Sequence, residues 1–330
     1  MVPASPSLFN QISQDEEGPH AQHLWDMRVS TYFGYGTALS WKGLEKWCNA
    51  YTTDKTKQRD GRWTIDHIFA AFKNYFSSTT TEQDAWNGDY KKIEAWEQAY
   101  PQSQCAPLVE VTYWLAYAWY ARGNGYEDSV TPEGQKLYDE RLKKAEDVLI
   151  ANKALAKVNP VWYTLAVRVS FEKDGPSEQI GSILDRSFKQ FPGYFQSAMT
   201  AAYYLLPKWY GDPQALEKFI RNAEASTSTK QGKSLYARLY WSVAQSEPDL
   251  FNKTDVDWSE MKVGFDDLMH MYPDSAWNLN NYASFACRAD DKSTYLMLRP
   301  KINHDNYNSD AWPSSHRMEI CDAHFGLKPL

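Results

Sequence analysis

Credible strand alternation is missing from this 330-residue sequence, and with it the basis for a sheet-built fold. No apolar run approaches the roughly 20 residues of a membrane-spanning helix. The longest, near 106–121, is interrupted by Glu110 and several tyrosines. The start, MVPASPSLFNQISQDEEGPH, has neither a basic nor an apolar leader region, so no signal peptide is expected there. No basic cluster interrupts a net charge of −7, which argues against a nucleic-acid partner held through its phosphates. Cysteine is scarce, and Cys48, Cys105, Cys287 and Cys321 lie far apart without a CxxC pair. Such scattered thiols fit a reducing cytoplasm, while a disulfide stays open. G-x-S-x-G, H-E-x-x-H and Cys–His nucleophile signatures are absent as well.

What the sequence has in quantity is aromatic residues: 15% of the chain, with 14 Trp and 22 Tyr. Rings with one wet edge suit helix-on-helix seams and groove surfaces. The chain is organised around 106–157, where two helical patterns flank the loop 123–130. The first is almost wholly apolar and aromatic, and so belongs between neighbours. The second places Leu137, Leu142, Ala145, Val148 and Leu149 on one stripe, which predicts an amphipathic helix leaning on a buried one. Between them, Thr131-Pro132-Glu133 reads as an N-cap, a first-turn proline and an acid favoured by the helix dipole. Asp128 is expected to pair with Arg122 and brace the loop.

About a dozen to fourteen ordinary helices with short connections are expected, hence antiparallel hairpins. Ala99-Tyr100-Pro101, Gln190-Phe191-Pro192 and Met271-Tyr272-Pro273 each close one helix and open the next. Pro160 precedes Pro192 by 32 residues, near the roughly 34-residue tetratricopeptide period. The fold expected is therefore all-α, a tetratricopeptide-like α-solenoid of antiparallel hairpins with degenerate repeats. Its expected divisions are a flexible tail at 1–20, one continuous superhelix at 21–300 and a loop-like extension with a short helix at 301–330.

Three stretches, YAWYARGNGYEDSVTPEG (117–134), YLLPKWYG (204–211) and YPDSAWNLNNYASFACRADDK (272–292), resemble a bacterial family of tetratricopeptide-like helical proteins known only as a domain of unknown function. The resemblance runs from about residue 40 to 300 and implies the helical-repeat fold, without an activity to transfer.

Glu110 forms one line with Trp114, Tyr117 and Ala121. A carboxylate in apolar surroundings has a raised pKa and can act as a general acid, but buried carboxylates are usually paired, and a structural Glu bonded to a Tyr hydroxyl or an Arg of the adjacent helix is the favoured reading. Asn278 and Asn281 share a helical face beside Asn280, where amides can grip an extended peptide or bond to neighbouring helices. Trp209 and Tyr210 lie in a turn closed by Asp212-Pro213, so their rings need not be core. Glu110, Trp114, Tyr117, Trp209, Tyr210, Asn278 and Asn281 are the candidate partner-binding residues.

No catalytic residue, cofactor or metal is assigned. His20 and His23, with a carboxylate from Asp15, Glu16 or Glu17, make a weak metal set, as do His316, Cys321 and His324. The function expected is cytoplasmic, non-enzymatic binding of another protein or peptide, as an adaptor or as an immunity protein sequestering a basic toxin. The alternative is a carbohydrate-active hydrolase on a paired-helix toroid, pairing Glu110 with Asp84 or Asp89.

Overall fold

A computed structural model describes residues 16–78, 82–123, 125 and 127–328. The expected tail at 1–20 therefore falls largely outside the described residues, as does Asp15. Among those described, the chain forms sixteen α-helices, short 3-10 turns and a single isolated bridge, with no strand. None of the helices is long and apolar enough to cross a membrane.

Two compact units divide the chain. The first takes in 20–58 and 62–197, and the second 17–19, 59–61 and everything described from 198 onward. The division falls inside α9 (Gln196–Tyr204).

The first unit contains α1 (Gly18–Tyr35), from residue 20 on, α2 (Ala38–Thr53), α3 (Thr64–Ser77), α4 (Gln83–Ala99), α5 (Ala106–Arg122), α6 (Pro132–Ala151), α7 (Val161–Asp174) and α8 (Glu178–Gln190). Its core is aromatic. Phe33 meets Phe72 edge-on at 5.5 Å, Phe76 meets Tyr113 at 5.5 Å, and Trp41 lies parallel to Trp96 at 6.0 Å. Each such pair adds about 0.5–1.5 kcal/mol to the area it buries. A disulfide between Cys48 and Cys105 fastens α2 to the residue that precedes α5.

The second unit holds α10 (Pro213–Gln231), α11 (Ser234–Ala244), α12 (Leu250–Lys253), α13 (Trp258–Met271), α14 (Ala276–Arg288), α15 (Lys292–Leu298) and α16 (Met318–Phe325). The short helix expected at the end of the chain is α16. It is clamped twice. Cys321 is bonded to Cys287, and the next residue, Asp322, accepts a forked pair from Arg299 (2.8 and 2.8 Å) and a hydrogen bond from the Tyr295 hydroxyl (2.7 Å). All four cysteines are thus paired, which their separations of 57 and 34 residues concealed.

The aromatic-proline breaks share one conformation. Tyr100, Phe191 and Tyr272 end α4, α8 and α13 with φ/ψ of −135/72°, −130/71° and −136/64°. Proline excludes the α region for the residue before it, so each helix stops there with the chain redirected alike.

Candidate functional site

The aromatic cluster of α4, α5 and α6 opens into a cavity of ≈290 Å³ within the first unit. It is built from two hairpins. At the first turn, the Ser103 hydroxyl accepts from the amides of Cys105 and Ala106 (3.2 and 3.0 Å), which starts α5 running back along α4. The antiparallel register then stacks Trp86 on Tyr117 (4.5 Å) and Tyr90 against Trp114 (5.1 Å). At the second turn, the Thr131 hydroxyl accepts from the Gly134 amide (3.0 Å) with Pro132 in the first turn, as the sequence indicated. Gly134 lets α6 pass close to α5, since a Cβ there would come within 2.8 Å of the Ala121 carbonyl. The expected Arg122–Asp128 pair does not form; Arg122 donates to the Gly125 carbonyl (3.2 Å) instead.

Tyr90, Tyr113, Trp114 and Tyr117 supply the cleft's rings, and Asn87, Leu137, Glu140, Arg141 and Lys144 complete it. Two cations lie on ring faces. The Arg141 guanidinium is 3.3 Å from the Tyr117 ring centre, and the Lys144 ammonium is 4.3 Å from that of Trp114. Arg141 Nη1 also donates to the Tyr117 carbonyl (2.7 Å), and burial holds its pKa below the usual arginine value.

Behind this wall stands Glu110, half-buried, whose Oε1 accepts from Trp114 Nε1 (2.9 Å) and from the Tyr90 hydroxyl (3.2 Å). Burial, then the Glu110 charge, pushes Tyr90 up to about 12. Its carboxylate neighbour is Glu97, near the end of α4. Burial, followed by the charges of Glu110 and Glu94, pushes Glu97 up to about 7, so it is largely protonated in mildly acidic solution. Glu97 was missed in the sequence: it lies about two turns beyond Tyr90 on α4, and only the packing of α4 against α5 brings it beside Glu110. Arg141 was missed too, although it is a charge placed within the apolar stripe of α6.

The structure thus brings Glu110, Trp114 and Tyr117 together around one cleft. It sends the other candidates elsewhere, to the second unit. Asn278 and Asn281 are 0% and 3% exposed. Asn278 Nδ2 reaches the Asp60 carbonyl (3.3 Å) and Asn281 Nδ2 the Trp277 carbonyl (2.9 Å), so these amides serve the interior rather than a peptide groove. The intervening Asn280 joins α14 to the chain near 306–312, through the Asn306 carbonyl, the Asn308 amide and Trp312. Trp209 is half-buried against Tyr203 and Tyr204 (5.8 and 5.9 Å), and Tyr210 is 48% exposed.

Neither carboxylate offered as a partner for Glu110 meets it. Asp89 is buried on the Tyr75 hydroxyl (3.0 Å) and Lys92 (2.8 Å), and Asp84 is exposed in the first turn of α4. At 1.5 Å per residue they lie roughly 12 and 20 Å along the helix from Glu97. Of the metal sets, His20 pairs with Glu16 (3.2 Å) and Cys321 is spent in its disulfide. No group of three or more His, Cys, Asp or Glu able to hold a metal occurs among the described residues.

Fold and site together define an all-helical protein with an aromatic, cation-bearing cleft between three consecutive helices. No family model, curated protein or solved structure matches the chain.

Proposed function

We propose that the chain is a non-enzymatic binding protein and that the cleft between α4, α5 and α6 holds its protein or peptide partner. The observation that carries this reading is the concave cluster of Tyr90, Tyr113, Trp114 and Tyr117 with Arg141 and Lys144 on its ring faces. Tyr, Trp and Arg around a pocket are the residue types that dominate interface energetics. Degenerate tetratricopeptide-like repeats belong to the same proposal, supported by the three equivalent aromatic-proline helix ends. The net charge of −7 favours a basic partner at long range, the version in which a toxin is sequestered. Two disulfides weigh toward an oxidising compartment and against the cytoplasmic expectation.

The hydrolase alternative needs carboxyl groups either about 5–5.5 Å or about 6.5–9.5 Å apart. Asp84 and Asp89, the carboxylates that reading pairs with Glu110, do not meet it, Asp89 being held by Tyr75 and Lys92.

The test is affinity capture from the native host with two baits, wild type and Asn87→Trp. Asn87 is an exposed cleft residue, and tryptophan there fills the cavity without entering the core. A protein held by wild type and lost from the blocked bait supports the reading. One held equally by both places recognition outside the cleft.

A further inference from the structure

The cleft carries two positive charges that form no ion pair among the described residues. Arg141 is only 9% exposed, and among the described residues its sole hydrogen bond is to the Tyr117 carbonyl. The Lys144 ammonium rests on Trp114. Among the described residues no carboxylate forms an ion pair with either one. Of the nearby acids, Glu140 acts on Arg141 only through its charge, from the exposed rim. Glu140, on the rim, is 4.0 Å from Lys136, and Glu110 accepts from Trp114 and Tyr90 while facing Glu97. A desolvated cation is costly without a counter-charge, so natural interiors pair it. Among the described residues the stacked guanidinium makes no hydrogen bond from Nε or Nη2, and that edge has the two-donor spacing of a carboxylate.

From this geometry we infer that the cleft takes an acidic side chain flanked by an aromatic one on the partner, with the carboxylate on Arg141 and Lys144 and the ring against Tyr90 and Trp114. The inference rests on the cleft being the recognition site and names the group recognised there. The cavity of ≈290 Å³ is of a size for one ring and one carboxylate, at the small end of ligand sites. A partner that is basic overall still satisfies it, since one acidic–aromatic pair is sufficient.

The probes are two blocked dipeptides, N-acetyl-Phe-Asp-amide and N-acetyl-Phe-Asn-amide, which share shape and differ in one charge. Titration of the full chain is followed by tryptophan fluorescence and calorimetry at low salt. The aspartate probe is expected to saturate and to bind about tenfold tighter than its asparagine twin. Added salt should narrow that gap. Lys144→Gln, an exposed substitution, should weaken the aspartate probe several-fold and the asparagine probe less, so that the gap between them narrows. Equal binding of the two probes, or binding of neither, overturns the inference. The function proposed above fails separately, when a partner is retained by the cleft-blocked bait.

Discussion

Replacing Glu97 by glutamine removes one titration beside Glu110, and its effect on stability has a definite sign. The unfolded chain releases this proton near 4.5, and the folded chain near 7. Below 4.5 both states hold it and the contribution of Glu97 to stability is complete; that contribution is lost as the pH rises through about 7. A tenfold difference in proton affinity is about 1.4 kcal/mol, so the full span corresponds to roughly 3 kcal/mol. Glu97 is half-buried, and solvent screening reduces the expected effect to about 1–2 kcal/mol. Glutamine keeps a donor toward Glu110 and carries no charge at any pH. Glu97→Gln should therefore match wild type at pH 5 and exceed it by about 1–2 kcal/mol at pH 8. Urea unfolding of both proteins at pH 5, 6, 7 and 8 measures this, with the difference between them cancelling every other titrating group. A difference independent of pH would refute the proton assignment between Glu97 and Glu110.

Other parts of the molecule respond differently. His67 is fully buried with Nδ1 on Gln22 (3.0 Å), and burial, then the Arg62 charge, holds its pKa well below 6.5. Its neutral form is the folded one, so stability should fall as the pH drops below 6.5, and His67→Gln should flatten that acid limb in thermal melts. Closing loops of 57 and 34 residues makes each disulfide worth about 4 kcal/mol on chain-entropy grounds, so the double serine variant of either pair should lower the urea midpoint clearly. Asp322→Asn strands the buried Arg299 and should cost about 3–5 kcal/mol, read in the same assay. Asn278→Ala with Asn281→Ala should destabilise the chain while leaving affinity for a captured partner unchanged once both proteins are folded.

Helical class was readable because apolar spacing over whole helices decides it, as in α6 with Leu142, Ala145 and Leu149 buried. The turn chemistry at Thr131 and the breaks at Tyr100, Phe191 and Tyr272 were readable because they depend only on adjacent residues. Cysteine pairing was not, since Cys48 and Cys105 meet only through packing, with α3 and α4 between them in the chain. Asparagine at 278 and 281 gave a true signal, hydrogen-bonding purpose, but spacing on one helix cannot tell an inward face from an outward one. Half of the cleft was visible as the Glu110–Trp114–Tyr117 line on α5. The other half, Tyr90 and Glu97 on α4 and Arg141 and Lys144 on α6, required the register between helices.

Calorimetric affinity of the captured partner for wild type and for Asn87→Trp, compared at equal melting temperature, tests the cleft most directly. With the cavity filled, the affinity should fall by more than tenfold, the loss of an anchor worth about 2 kcal/mol. An unchanged affinity with the cleft blocked would contradict the assignment of recognition to α4, α5 and α6.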